Sequence, residues 1–385
     1  MTLTTGIERI RIRNYRVLRD VELNGLTPVT ALLGPNGSGK STLLDAIRFL
    51  LESFDRGLAT AWRVRGGLPE IRSLDATGPV EIELGCRIDG ARGDYRLVVE
   101  EREGAPLVAE ERLTWQPAGQ DSAFTVLELR RGEGAIHRPG STEQVRLTGQ
   151  DLLGVGAFGQ LAANAEIAAF LRFVSRFQLF DLDVALMRDR SRNTGPGARL
   201  TPSGSNVAAM VQELRDHDDE TWSQIAGSLR RYVPGLEDVV PIEVSGSYLV
   251  GLKMGRSESI VLPESISDGT LRLLGYLVAL RDPASVLLFE EPENQVHPRL
   301  HYMLAEEARA ARSDQIVVAT HAPRFVDAMR PGEVWNLALS DDGNTRVMRA
   351  SDEPRLVRMV ESGAALGDLW TEGYFRFGDP LAERT

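Results

Sequence analysis

The first fifty residues show three hydrophobic patterns in succession. Residues 7–23 alternate apolar with charged positions, which predicts a strand, a turn and a second strand. The apolar run 29–33 predicts a buried strand, and the leucines and isoleucines of residues 43–53 recur at the spacing of a helix. A glycine-rich loop separates the last two elements, so the chain predicts a strand, a loop and a helix in direct succession.

The middle of the chain changes pattern twice. Turn-forming residues separate four strand-like runs, which predict an antiparallel meander inserted after the first helix: 80–88, 94–102, 107–115 and 125–132. The stretch 149–192, including Phe177, recurs at helical spacing, and its basic end at 187–192 is interpreted as a solvated helix end. The basic, glycine-rich segment 55–79 is interpreted as a solvated loop.

The second half of the chain alternates helices with short buried strands. Residues 193–206 are rich in glycine, proline and serine and predict a linker before two amphipathic helices, at 207–217 and 221–235. Apolar runs at 286–289 and 315–319 predict two further buried strands. There are no long heptad runs, so a coiled-coil arm is not expected.

These elements predict an α/β fold in three segments. We place an N-terminal lobe with the glycine-rich loop and the meander at residues 1–150. A helical or insert lobe follows at 151–260, and a C-terminal lobe at 261–385.

Composition narrows the classes of protein. The chain has 385 residues, of which 42% are hydrophobic and 26% charged, as in ordinary globular proteins. No apolar run approaches the roughly 18 residues of a membrane span, and the charged N-terminus lacks a signal-peptide core, so we expect a cytoplasmic protein without membrane contact. The single cysteine, Cys86, leaves no pair for a disulfide or zinc site. The net charge of −11 argues against a coat of nucleic acid but leaves a local DNA contact open.

The loop at residues 34–42, GPNGSGKST, matches the phosphate-binding pattern G-x-x-x-x-G-K-[ST]. Its glycines let backbone N–H groups point at phosphate oxygens, and the following helix adds its positive end. Lys40 would supply charge to the β and γ phosphates, and the Ser41 hydroxyl is placed to bind Mg²⁺. An ordinary glycine-rich turn is the alternative, which the strand–loop–helix context disfavours. The candidate nucleotide contacts here are Asn36, Gly37, Ser38, Gly39, Lys40, Ser41 and Thr42.

Two adjacent acids follow the strand at 286–289. A buried strand that ends in carboxylates is costly unless a cation lies there. We assign Glu290 to the Mg²⁺ site and Glu291 to the attacking water. His321, after the strand at 315–319, is placed to hydrogen-bond a γ-phosphate, although a lone histidine is more often structural. Lys40, Glu291 and His321 are therefore the candidate catalytic residues.

The turn formed by Ser267, Asp268 and Gly269 precedes an apolar helix. Ser267 could be a helix N-cap and nothing more. Exposed N–H groups at the helix start would also suit an anion, including one carried by another subunit.

Together, GPNGSGKST, SISDGT, VLLFEEPENQVHP and THAP resemble, in order and spacing, the ABC-type ATPase heads of the RecF/SMC/OLD group. Within that group the chain is most similar to the AAA family ATPases related to OLD nuclease heads. The resemblance is firmest over residues 1–60 and 260–330. It implies a P-loop head with a mixed sheet, a β-meander insertion and a helical lobe, which binds ATP and Mg²⁺ and hydrolyses ATP to ADP and phosphate.

The resemblance also implies a composite site in a homodimer. Ser267 to Thr270 would form the signature that reaches the γ-phosphate held by a partner head, with Ser267 and Gly269 as contacts. His321 matches the switch histidine. Two ATP molecules would then be sandwiched between two heads.

Other matches are looser, and two positions depart from the usual pattern. Asn14 and Arg16 match a motif near the adenine and ribose, and residues 293–298 match a loop at the dimer interface. Glu290 stands where most ABC heads have Asp, which leaves the hydrolysis rate open. Asp268 puts a carboxylate in the signature, and no sensor glutamine is assigned.

About 60 residues follow His321, fewer than the nuclease domain of OLD proteins needs, so a nuclease is expected on a separate chain. The favoured function is an ATPase that dimerises on ATP and gates a DNA-directed activity or a partner effector, in genome defence or DNA repair. A slow ATP-dependent scaffold or sensor for a separate effector protein is the alternative. A transporter motor is disfavoured by the long middle insertion and the S-D-G-T signature.

Overall fold

The computed structural model describes residues 3–192, 195, 197–255 and 259–375. The predicted linker lies partly outside this range, at Asn193, Thr194 and Pro196. The strands are β1 (Gly6–Tyr15), β2 (Leu18–Asn24), β3 (Val29–Leu33), β4 (Val80–Ile88), β5 (Ala91–Arg102), β6 (Ala105–Gln116), β7 (Phe124–Arg130), β8 (Glu133–Arg138), β9 (Ser141–Arg146), β10 (Phe177–Phe180), β11 (Ser191–Arg192), β12 (Leu236–Val244), β13 (Ser247–Met254), β14 (Ile260–Val261), β15 (Val286–Glu290), β16 (Gln315–Thr320), β17 (Val334–Leu339) and β18 (Thr345–Arg349).

The helices alternate with these strands along the chain. They are α1 (Lys40–Asp55), α2 (Leu58–Val64), α3 (Leu68–Ile71), α4 (Gly154–Phe158), α5 (Ala165–Ser175), α6 (Val184–Arg188), α7 (Val207–His217), α8 (Asp219–Tyr232), α9 (Asp268–Ala279), α10 (His301–Arg309), α11 (Pro323–Val326), α12 (Pro354–Glu361) and α13 (Leu366–Thr371). Short 3-10 turns lie at Pro263–Ser265, Pro298–Leu300, Pro331–Glu333 and Ala350–Asp352.

A six-stranded sheet with the order β10-β15-β16-β3-β17-β18 carries the candidate site. Its first five strands are parallel, and β18 is antiparallel to β17. Strands β3 and β16 are buried at every position, because elements cover both faces of the sheet. The carboxyl ends of β3, β10, β15 and β16 therefore meet at one edge, where the phosphate loop begins.

A second sheet of eight strands follows the order β2-β1-β4-β5-β6-β7-β8-β9, and its neighbouring strands are antiparallel. The predicted N-terminal hairpin and meander are both confirmed, and they form one continuous surface because β1 pairs with both β2 and β4. Apolar residues of its inner face, such as Ile10 and Ile12, share a core with Ile47 of α1 and Phe170 of α5. The helix α1 is thus held between the two large sheets.

Three interpretations of the middle of the chain were wrong. Residues 177–180, predicted as helix, form β10 in parallel register with β15. The segment 55–79, interpreted as a solvated loop, contains α2 and α3, with Trp62 and Arg65 buried. Residues 191–192, predicted as the end of a helical stretch, form β11, which pairs with β13 in a four-stranded sheet that also contains β12 and β14.

The three-segment division stays a prediction, and the sheet topology crosses its boundaries. The six-stranded sheet takes β3 from the first segment, β10 from the second and its other strands from the third. In the part of the chain that the structure describes, none of the helices combines the length and apolar character that crossing a membrane requires.

Candidate nucleotide site

The phosphate loop bridges β3 and α1, as predicted. Gly39 is the residue before α1 and has a φ of 100°, a left-handed conformation that favours glycine. A Cβ atom there would also lie only 2.3 Å from Oγ1 of Thr345. Thr345 supports the loop directly, since its hydroxyl donates a hydrogen bond of 3.0 Å to the carbonyl oxygen of Ser38. The loop is therefore closely packed against the start of β18.

Lys40 is 4% exposed, and its amine is turned into the loop. The Nζ atom donates hydrogen bonds to the carbonyl oxygens of Gly34 and Pro35, at 2.7 and 3.0 Å. Burial lowers the pKa of Lys40, while the nearby carboxylates of Glu291, Glu293 and Glu290 act in the opposite direction. The lysine thus has neutral partners that a phosphate could replace.

One cavity of about 600 Å³ brings together most of the predicted residues. Its lining includes Asn36, Gly37, Ser38, Gly39, Lys40, Ser41, Thr42, Glu290, Glu291 and His321. Val17, Asp181, Arg272 and Asn294 complete it. The positive loop and the two predicted acids therefore face the same space, although 250 residues separate Lys40 from Glu290 along the chain.

Glu291 accepts a side-chain hydrogen bond on one side and lies close to an imidazole, without a hydrogen bond, on the other. The Nδ2 atom of Asn294 donates a hydrogen bond of 2.7 Å to its Oε2 atom. The Nδ1 atom of His321 lies 3.2 Å from its Oε1 atom. The backbone of Glu291 has a φ of 43°, and its N–H donates to the carbonyl oxygen of Ala319. The chain turns sharply here, directly after β15.

Glu293 lies beneath this pair and is 3% exposed. Its Oε1 atom accepts hydrogen bonds from the hydroxyl of Thr320, at 2.5 Å, and from the backbone N–H of His321, at 3.1 Å. Its Oε2 atom is buried without a hydrogen-bond partner among the described residues. Glu293 therefore fixes the end of β16 and with it the position of His321.

The oxygen atoms at the carboxyl ends of the strands suit Mg²⁺ as ligands. The hydroxyl of Ser41 and the carboxylates of Glu290 and Asp181 line one cavity, and hard oxygen ligands are those that Mg²⁺ prefers. Among the described residues there is no cluster of three or more His, Cys, Asp or Glu side chains that could hold a metal. This sparse set suits a metal that completes its shell with water and substrate phosphates.

The S-D-G-T turn lies beside the cavity and not in its lining. Ser267 is the N-cap of α9, and its Oγ atom accepts a hydrogen bond from the N–H of Thr270 at 3.3 Å. Asp268 accepts hydrogen bonds from Arg188, at 2.7 Å, and from Gln295, at 3.2 Å. Gly269 packs so tightly that a Cβ atom would lie 2.5 Å from the carbonyl oxygen of Gln295. The assignment of Ser267 and Gly269 to a partner's phosphate stays a prediction.

Asn14 and Arg16 are likewise outside the lining. The Nδ2 atom of Asn14 donates to the carbonyl oxygen of Pro79, and Arg16 forms an ion pair of 3.0 Å with Asp45. Val17, the next residue, does line the cavity. The predicted adenine contacts are therefore not brought to the phosphate end of the site, and their role stays a prediction.

Sequence reasoning missed Asp181, Arg272 and Asn294. Asp181 follows the four-residue strand β10 just as Glu290 ends β15, so an acid after a short apolar run was the available signal. Arg272 is a single charge among the leucines of α9, which is unusual for a buried helix. Asn294 lies in the stretch 293–298 that the resemblance assigns to a dimer interface, and nothing in the sequence assigned it to the cavity.

The fold and the site define an ABC-type ATPase head of the RecF/SMC/OLD group. The chain belongs to the family described as "AAA domain, putative AbiEii toxin, Type IV TA system", whose model matches residues 29–327. The expected class and fold are confirmed at this level.

Two individual proteins of known class are also similar to this chain in sequence. An OLD nuclease of Thermus scotoductus is 24% identical over 352 residues, which cover 84% of this chain and 60% of the relative. A DNA double-strand break repair Rad50 ATPase of Thermoplasma volcanium is 34% identical over 96 residues, covering 25% of this chain and 10% of the relative. The chain thus spans less than two thirds of the length of either relative.

The fold matches solved Smc heads at low sequence identity. One is an Smc head domain with an extended coiled coil, bound to the C-terminal domain of ScpA derived from Pyrococcus furiosus. It gives a TM-score of 0.52 at 13% identity and covers 93% of this chain and 100% of the other. An Smc head bound to the C-winged helix domain of ScpA gives a TM-score of 0.50 at 13% identity, covering 89% of this chain and 97% of the other.

Proposed function

We propose that this chain binds ATP and Mg²⁺ in the phosphate cavity, hydrolyses the ATP, and forms a homodimer with ATP sandwiched between two heads. The dimer would gate a DNA-directed activity or a separate nuclease or effector chain in genome defence or DNA repair, in the cytoplasm. The observation that carries the proposal is the convergence of Lys40, Ser41, Glu290, Glu291 and His321 on one cavity. The OLD and Rad50 relatives support the DNA-directed setting.

The residues of the chain would share the work of hydrolysis. Loop N–H groups and Lys40 hold the phosphates, with Lys40 leaving the carbonyl oxygens of Gly34 and Pro35. Glu291, held by Asn294, takes a proton from the water whose oxygen bonds to the γ-phosphorus as the bond to the bridging oxygen of ADP breaks. Bound Mg²⁺ would neutralise negative charge, with Ser41 and Glu290 as the residues that hold it.

Glu291→Gln tests this assignment. The amide cannot accept the proton, so we expect ATP binding to persist while turnover falls roughly 100-fold or more. The variant should accumulate as an ATP-bound dimer, which size-exclusion chromatography with light scattering would detect. Turnover at the parental rate would show that another residue positions the water.

Lys40→Ala tests nucleotide binding at the other side of the cavity. Loss of the charge that faces the β and γ phosphates should abolish ATP binding and ATP-induced dimers together. Both variants are measured by equilibrium binding of a fluorescent ATP analogue. An unchanged affinity in Lys40→Ala would overturn the phosphate-loop assignment.

The charge pattern of the eight-stranded sheet favours a second candidate, the scaffold that controls a separate effector protein. Arg9, Arg11 and Arg13 on β1 form ion pairs with acids of β2 and β4. These arginines are already neutralised, so they make a weak platform for DNA phosphates. Turnover of the purified protein would separate the candidates: stimulation by DNA favours the first, and a response to a partner protein but not to DNA favours the second.

A further inference from the structure

Arg65 and Arg272 are the two buried arginines among the described residues, and each is 8% exposed. Their surroundings differ. Arg65 donates hydrogen bonds to the carboxylates of Asp45, at 2.9 Å, and Glu52, at 2.6 Å. In the described part of the chain, Arg272 has no carboxylate oxygen within 4.0 Å. It makes one long hydrogen bond, of 3.5 Å, to Oε1 of Gln295, and its Nε atom is buried without a partner.

A buried guanidinium without an anion is costly, because it has lost water and gained no paired charge. Burial lowers the pKa of Arg272, and the acids Asp181, Asp183, Glu293 and Asp268 oppose this only from beyond ion-pair distance. The side chain lines the phosphate cavity together with Lys40 and His321. The site therefore holds a cation that has no carboxylate oxygen within 4.0 Å among the residues that the structure describes.

We propose that Arg272 binds the γ-phosphate of ATP within its own chain and couples that contact to the S-D-G-T turn. This inference rests on the proposed function, since it requires ATP in the cavity. Arg272 stands on α9 next to Gln295, and the same loop carries Glu291 and Asn294, which line the cavity. Arg272 thus shares one cavity with the phosphate loop and with the acid proposed to activate the attacking water. A guanidinium suits this position because its planar fork matches phosphate oxygens.

Gln295 connects the arginine to the turn. Its Oε1 atom accepts from Arg272, and its Nε2 atom donates to Oδ2 of Asp268 at 3.2 Å. Its carbonyl oxygen packs against Gly269. When Arg272 turns toward a γ-phosphate, Gln295 loses its donor and remains bound to Asp268 alone. Binding of ATP, but not of ADP, would thus change the hydrogen bonds that hold the S-D-G-T turn. This is the turn proposed to contact the partner head.

The test compares the affinities for a non-hydrolysable ATP analogue and for ADP, at protein concentrations where the chain is monomeric. In Arg272→Gln we expect the affinity for the ATP analogue to fall about 10- to 100-fold, with the ADP affinity unchanged. Arg272→Lys keeps the charge without the fork and should lose less. Arg48→Gln is the matched control, because Arg48 on α1 lines a neighbouring groove and not the phosphate cavity. It should keep both affinities.

The possible results separate this inference from the proposed function. If the parent chain and Arg48→Gln bind both nucleotides, and the Arg272 variants keep the parental preference for the ATP analogue, the Arg272 assignment is wrong and the ATPase proposal stands. An equal loss for ATP and ADP in both Arg272→Gln and Arg272→Lys also contradicts a γ-phosphate contact. If the parent chain binds neither nucleotide, the proposed function itself fails.

Discussion

Asp181 and Glu290 stand at the ends of two neighbouring parallel strands, and both carboxylates line the phosphate cavity. Two negative charges beside a triphosphate repel it unless a metal ion lies between them. We therefore expect nucleotide binding to depend on Mg²⁺, and we expect each of the two acids to contribute to that dependence.

Asp181→Asn removes one of these charges. We expect the affinity for ATP in the presence of a chelator to rise several-fold, because the repulsion falls. The factor by which Mg²⁺ increases the affinity for ATP should become about tenfold smaller. Equilibrium binding with and without Mg²⁺ measures both quantities. Asp183→Asn is the matched control, since Asp183 caps α6 and asparagine is an equally good cap. If the affinity for ATP changed equally with and without Mg²⁺, a role for Asp181 at the metal would be contradicted.

For single residues, the sequence predicts those cavity residues that belong to a recognisable motif. Lys40, Glu290 and Glu291 could be placed because a loop pattern and a strand ending in acids each point to one role. Arg272 and Asn294 could not, because only the folded chain brings them beside the phosphate loop and Glu291. Both lie near residues that the sequence did identify, so proximity along the chain was not enough.

Among the elements, the join between β6 and α4 depends on one buried carboxylate. Glu111 is fully buried, and it accepts hydrogen bonds from the backbone N–H groups of Gly154 and Val155 and from the hydroxyl of Tyr95. Burial raises the pKa of Glu111 to about 7, although the two backbone donors and Tyr95 act to lower it. The helix is thus attached to the sheet by a group that titrates near neutral pH.

The sign of the resulting pH dependence follows from linkage. Between the ordinary pKa of a glutamate, 4.5, and about 7, the folded chain keeps a proton on Glu111 that the unfolded chain releases. The free energy of unfolding therefore falls as the pH rises through this range, by about 2 to 3 kcal/mol between pH 5 and pH 8.

Glu111→Gln should remove that contribution. Urea unfolding of the variant and the parent at pH 5, 6, 7 and 8 would show a stability difference that shifts in favour of the variant as the pH rises. Glu133→Gln, on an exposed position of β8, should leave the parental slope unchanged. If the free energy of unfolding depended on pH in the same way in Glu111→Gln and in the parent, the titration of Glu111 would be contradicted.

Elements with a clear period were predictable, and short ones were not. The hairpin, the meander, β3 and α1 follow alternation or helical spacing over many residues. Strand β10 has four residues, and its phenylalanines continue the helical spacing of α5, so tertiary pairing with β15 decided its structure. The helices α2 and α3 are short and separated by glycines, and neither the packing of α2 against α1 nor the burial of Ile71 in α3 was visible in composition.

At the scale of the whole molecule, Gln315 joins the two large sheets. Its side chain, on β16 of the central sheet, is 0% exposed. The Nε2 atom donates to the carbonyl oxygens of Ile7 and Thr27, at 2.9 and 3.1 Å, and the Oε1 atom accepts from the N–H of Ile7 at 2.8 Å. One amide thus satisfies three backbone groups where the sheets meet.

Gln315→Leu would leave those backbone groups without partners. Buried unsatisfied groups cost about 1–3 kcal/mol each, so we expect the free energy of unfolding to fall by roughly 2–5 kcal/mol. Urea unfolding measures the loss, and Gln160→Leu, at an exposed position, should stay within about 0.5 kcal/mol of the parent. A loss no larger than that of the control would show that Gln315 does not hold the sheets together.

The support that Thr345 gives the phosphate loop has a consequence for the order of events during synthesis. Thr345 and Ser38 are 307 positions apart, and the backbone N–H of Thr345 also binds the carbonyl oxygen of Val17. A nascent chain must therefore be translated past β18 before its loop acquires these contacts. ATP then binds chains whose distant segments have already met, and by mass action it favours the completed fold over every partly folded form.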